Sequence, residues 1–146
     1  MTPPPRSRRQ RIQDTLRRLE HDVDCWVATA DAGTPYLVPL SFLWHDGAIL
    51  LSTPSDSPTG RNLRSTGTAR VGIGPTRDVV LVEGTVEVVD LPAGTGDAFA
   101  AKTGFDPRDL SSYVFFQVRP QRIQAWRESD ELNGRDLMRE ARWLDT

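Results

Sequence analysis

The chain has 146 residues, 38% of them hydrophobic and 26% charged, with a formal net charge of -2; that is enough for one domain with a sizeable core and too little for two ordinary ones. The near-neutral balance excludes a global field that would gather nucleic acid or membrane. A single cysteine, Cys25, excludes an internal disulfide and a four-thiolate metal site, and fits a reducing compartment.

Residues 1–9 combine three prolines with scattered charge and are expected to form a disordered tail ahead of one domain over 10–146. The basic residues here, Arg6, Arg8, Arg9 and Arg11, have no interleaved aromatics to stack on bases, so no nucleic-acid partner is expected. A helix follows: Ile12, Leu16 and Leu19 share a face at spacings of four and three, with Arg9, Arg11, Arg17 and Arg18 mostly pointing elsewhere, and it ends near His21. The longest apolar runs, such as "AILL" at 48–51, are of strand length, so neither a signal peptide nor a membrane span is expected and the chain is assigned to the cytoplasm.

From Cys25 onward the period changes to two or to continuous apolar runs. "CWVATA", "PYLVPLSFLW", "AILLST", "ARVGIG", "DVVLVEGTVEVV" and "YVFFQV" each predict a strand. "DAGT" at 31–34 and "HDG" at 45–47 supply residues that tolerate tight hairpin turns, so the early strands are antiparallel neighbours. Residues 57–66 predict a short helix with Ser57 as N-cap, Pro58 in its first position and Gly67 just past its end. A second helix is expected over roughly 95–103, stopped by Gly104, and "DPRDL" adds one capped turn. The tail "GRDLMREARWL" is ambiguous between helix and extended cover. Six strands with few helices predict an α+β chain that is mainly β, built as a small antiparallel barrel.

Most chemical motifs fail on inspection. "GIGPTR" lacks the third glycine and the following helix of a dinucleotide loop, and no Gly-Lys-Ser/Thr or Gly-x-Ser-x-Gly occurs. His21 and His45 are isolated, so no metal site is expected. The stretch "LLSTPSDSPTGRNLRSTG" at 50–67 stands out. Ser52, Thr53, Ser55, Ser57 and Thr59 place five hydroxyls within eight residues, beside the positive end of a helix whose second turn carries Arg61. From these residues alone an anion cradle and a well-capped helix are equally good readings.

The order of pieces decides further. "WVATADAGTPYLVPLSFLW", "GAILLSTPSDSPTGRNLRSTGTARVGIG", "VLVEGTVEVVD", "FAAKTGFDP" and "YVFFQVRPQRIQAW" together resemble the pyridoxamine 5'-phosphate oxidase-like family of flavin- and deazaflavin-binding split-barrel proteins, over most of residues 12–127. The resemblance implies a six-stranded split β-barrel that pairs with itself as a homodimer, with a cofactor at each of two sites between subunits. It implies that Val38, Pro39, Leu40 and Ser41 lie along a ring system. Ser52, Thr53, Ser57, Thr59, Arg61 and Asn62 would then hold its phosphate, and Trp126 would approach from the partner subunit. The implied cofactor is FMN, or alternatively the deazaflavin coenzyme F-420 or none. The implied activity is hydride transfer to a small organic acceptor, or else non-enzymatic cofactor sequestration, or an interaction module without cofactor. No side chain stands out as an acid or base, so no catalytic residue is assigned.

One departure matters: many members of this family place a Lys two residues before "RNL", where this chain has Thr59. Losing one charge-assisted hydrogen bond, about 1.5 to 3 kcal/mol, predicts a phosphate affinity roughly ten- to a hundredfold weaker than theirs. Motifs for a vitamin B6 substrate are also missing, so oxidation of that substrate is not expected.

Overall fold

A computed structural model describes residues 3–144 of the chain, and the expectation of disorder at Met1 and Thr2 lies outside them. The apolar runs become nine strands: β1 (Asp24–Asp31), β2 (Thr34–Ser41), β3 (Leu43–His45), β4 (Ala48–Pro54), β5 (Thr68–Ile73), β6 (Val79–Val89), β7 (Tyr113–Trp126), β8 (Asp136–Arg139) and β9 (Arg142–Trp143). They pair antiparallel in the order β2-β1-β5-β6-β7-β4-β3, with β8 added to β7 and β9 to β8. The sheet curls on itself, with three helices, α1 (Arg8–His21), α2 (Pro58–Thr66) and α3 (Ala93–Thr103), packed around it.

The strand count corrects the expected six in two places. The run "PYLVPLSFLW" breaks at Phe42, which is fully buried and gives its amide to the Val23 carbonyl, so it yields two strands. The tail, ambiguous between helix and extended cover, takes the extended form as a β8–β9 hairpin laid on β7. Its turn residues, Glu140 and Ala141, both take positive φ, 51° and 65°.

Strand β7 is the spine. Its first half pairs with β4, its whole length from Phe115 with β6, and its end with β8. Pro120, which cannot donate to a ladder, is accommodated where the β6–β7 register shifts at Glu83/Gly84. A Cβ on Gly84 would lie within 2.8 Å of the Arg119 carbonyl, so the backbones approach closely there only because position 84 lacks a side chain. Val27, Phe42, Leu51, Val71, Val82, Phe116 and Ile123 fill the inside of the curl, and Leu19 of α1 and Leu63 of α2 join the same cluster.

The first helix buries more than the expected face: Leu19 enters the core and Ile12 packs against it, but Arg11 and Thr15 are buried as well. Ser7 caps it by accepting from the Gln10 amide, so it begins at Arg8, and its buried residues are Arg11, Thr15 and Leu19. Arg11 was expected to point away from the core. Its guanidinium instead reaches the carbonyls of Ala125, Glu131, Asn133 and Gly134 at 2.8 to 3.3 Å, and these acceptors replace the water it loses. Arg6 binds Glu131 at 2.8 Å and Asp14 at 3.0 Å, while Arg18 binds Asp78 at 2.7 Å. Arg6 holds the Glu131 carboxyl down at a pKa of about 2. The segment entering α1 is thereby tied to the turn between β7 and β8.

Candidate functional site

The bend between β4 and α2 is built by its own hydroxyls. Ser52 Oγ donates to the Val114 carbonyl at 3.0 Å. Ser57 Oγ donates to the Pro54 carbonyl at 2.8 Å and accepts from the Gly60 amide at 3.0 Å, while Thr53 Oγ1 lies 3.5 Å from it. Asn62 donates to Thr29 Oγ1 at 3.1 Å, and both Thr59 and Asn62 are buried. Gly60 admits no side chain, because a Cβ there would collide with the Pro54 carbonyl. These polar groups therefore first shape the turn and seat the helix.

The exposed donors are guanidiniums. Arg61 Nη1 donates to the Asp56 carbonyl at 2.6 Å, and Arg64 donates twice to the Ser55 carbonyl, at 3.1 and 2.7 Å. Each guanidinium carries five N–H groups, so both keep donors beyond those spent on the bend. Arg64 was missed from the sequence, although its spacing of three from Arg61 on one exposed helix face was a usable signal.

A groove of about 380 Å³ runs along the seam where the curled sheet fails to close, between Pro39, Leu40 and Ser41 of β2 and Ser52, Thr53 and Pro54 of β4. Five of the eleven residues expected at the site thus line one cavity. Its other walls, not foreseen from the sequence, are Asp24, Phe99, Thr103, Phe105 and Tyr113. Phe105 and Tyr113 meet edge to face at 5.4 Å. Asp24 Oδ1 accepts from Ser41 Oγ at 2.9 Å where the ends of β1 and β2 meet.

Strand β2 is an edge of the sheet. Pro39 sits opposite Trp26 and has no N–H to give β1, which puts it at a non-bonded position of the ladder. By alternation Leu37 and Ser41 share that position, so their backbone groups point to the open side. Val38 packs against the core instead of lining the groove with its side chain.

Trp126 is far from this groove within one chain. It pairs with Val79, whereas Val114, twelve residues earlier on β7, pairs with Thr53; at 3.4 Å per residue that is about 40 Å along the strand. Cys25 is also out of play, since burial pushes its thiol up to about 12 and leaves no thiolate near neutrality. Among the described residues no helix is long and apolar enough to cross a membrane.

The family model described as pyridoxamine 5'-phosphate oxidase matches residues 12–127. No curated protein sequence matches the chain significantly. Among solved structures it resembles a FAD-binding protein from Mesorhizobium loti (19% identity, TM-score 0.64, covering 77% of this chain and 89% of that one). It also resembles an F-420 reductase (21% identity, TM-score 0.61, covering 73% of this chain and 93% of that one) and a heme storage protein from Vibrio cholerae (14% identity, TM-score 0.64, 77% and 92%).

Proposed function

The chain belongs to the pyridoxamine 5'-phosphate oxidase-like family of split-barrel proteins, and from that premise we propose that it is a flavin- or deazaflavin-dependent oxidoreductase acting on a small organic acceptor. The observation that carries this reading is the seam groove, which joins an open strand edge to a bend bearing two exposed guanidiniums. The residues present fit such a cofactor. The outward backbone of Leu37 and Ser41 offers donors and acceptors to the edge of a flat heterocycle, Pro39 and Leu40 give it an apolar floor, and Arg61 and Arg64 receive a phosphate at the bend. When bound, the cofactor supplies the hydride chemistry, while the protein supplies orientation and exclusion of water.

The reading includes a second copy of the chain. Trp26, Ala28 and Ala30 alternate with buried residues along β1, so they face outward; Trp26 is 52% exposed and Leu37, opposite Ala28, is 59% exposed. An apolar sheet face of this kind is costly to leave in water. Pairing of two copies over it would also be the route by which Trp126 of one subunit meets the groove of the other. A cofactor carrier without turnover is the second reading, favoured by Thr59 standing where a Lys would grip phosphate and by hydroxyls already bonded within the bend.

Titration of FMN and of the deazaflavin coenzyme, followed by fluorescence quenching, tests the proposal. Binding of either one below about millimolar, followed by oxidation of the reduced complex on adding acceptors under anaerobic conditions, supports an oxidoreductase. Binding with no acceptor-dependent oxidation supports the carrier, and binding of neither refutes both.

A further inference from the structure

The groove has a chemical polarity beyond its shape. Among the described residues Asp24 is the only charged one lining it, and the Ser41 hydroxyl hydrogen is committed to Asp24 Oδ1 at 2.9 Å. That end of the groove therefore presents acceptors: the remaining lone pairs of the Asp24 carboxylate and those of Ser41. Neither Arg61 nor Arg64 is among the residues that line the groove. Thr29, which anchors α2 through Asn62, lies five residues along β1 from Asp24, about 17 Å at the rise of a strand. Lys102, next to the lining residue Thr103, spends its ammonium on the Leu19 carbonyl at 3.2 Å and the face of Phe42 at 4.2 Å. The adjoining walls are aromatic: Phe99 is buried, while Phe105 is 40% exposed and meets Tyr113 edge to face.

We infer that the Asp24–Ser41 end of the groove recognises the acceptor of the proposed reaction, and that this acceptor is a flat, neutral or cationic molecule presenting N–H or O–H donors. A flat molecule stacks on Phe105 and Tyr113, a donor pairs with the carboxylate and the Ser41 lone pairs, and a positive charge gains from both the carboxylate and the ring faces. An anionic acceptor meets a fixed like charge with no cation lining the groove to answer it. The inference rests on the cofactor reading above for placing a second molecule here, and its test is separable from that reading.

Benzamidine and benzoate are flat ions of one shape and opposite charge, and serve as the probes. Titrated into the isotope-labelled full chain and followed by NMR, benzamidine is expected to shift the amides of Ser41, Phe105 and Tyr113. It should bind at least tenfold more tightly than benzoate. Asp24→Asn should bring the two probes within about threefold of one another, and Ser41→Ala should weaken benzamidine less than Asp24→Asn does. Asp24 is exposed at the start of β1, so the fold of the variant is checked by its retained amide spectrum. Equal or tighter binding of benzoate, shifts confined to another surface, no binding of either probe, or an unchanged preference in Asp24→Asn each overturns the inference. FMN titrated into the wild-type protein reports on the cofactor reading alone, so each reading fails on its own measurement.

Discussion

If the bend after β4 receives a phosphate, its grip comes from Arg61 and Arg64, and removing them has a calculable effect. A charge-assisted hydrogen bond contributes about 1.5 to 3 kcal/mol, but both side chains are exposed and each already gives donors to a backbone carbonyl, Arg61 to Asp56 and Arg64 to Ser55. Solvent screening therefore brings each below that range, to about 1 kcal/mol. Arg61→Ala or Arg64→Ala is expected to weaken FMN roughly fivefold, and the double variant about thirtyfold. Quenching titrations at low and high salt provide the assay, and the gap between wild type and double variant should narrow as salt screens the charges. A thermal melt accompanies each variant, because the same guanidiniums brace the bend. A double variant that binds FMN within twofold of wild type, at low salt and with an unchanged melt, refutes the assignment of the phosphate to this bend.

Other outcomes follow from the fold. Glu131→Gln should cost about 3 kcal/mol at neutral pH, the size of a carboxyl held from 4.5 down to about 2 chiefly by Arg6; because the folded pKa is depressed, this contribution is full above about pH 5 and fades as pH falls toward 2, so urea midpoints of the two proteins should converge in acid. Gly74→Ala should destabilise by about 2 kcal/mol, since φ is +87° there and a Cβ would collide with the Arg18 guanidinium that holds Asp78. Ser57→Ala removes the cap on the Gly60 amide and should cost about 1 kcal/mol by chemical denaturation. Leu37→Asp places a charge on the outward face of the sheet, and the proposed pairing requires sedimentation to show a dimer for the wild type and a monomer for the variant.

Where local chemistry decided the outcome, the sequence was readable. The caps Ser57 and Gly67 bound α2 as expected, and the Asp31–Thr34 and His45–Gly47 turns join antiparallel neighbours. The β8–β9 hairpin was not legible because its turn uses Glu140 and Ala141 at positive φ, positions where glycine or asparagine normally gives the signal. Arg11 was misplaced because its burial depends on carbonyls over a hundred residues away, which no periodicity encodes. The site divides in the same way. Pro39, Ser41, Ser52 and Thr53, named from the resemblance, lie on two contiguous strand segments that line the groove, whereas Asp24, Phe99, Phe105 and Tyr113 reach it only through the curl of the sheet.

The open edge of β2 has a consequence for how the protein behaves at high concentration. A strand whose outer backbone is left free for a ligand is equally a template on which a strand of another molecule could grow, the first step toward fibrous association. Pro35 and Pro39 interrupt that template four residues apart, each removing a donor that an incoming strand would need in succession. A small heterocycle asks for only one or two such groups and is not hindered. The two prolines thus let the same edge admit a molecule and refuse a polymer.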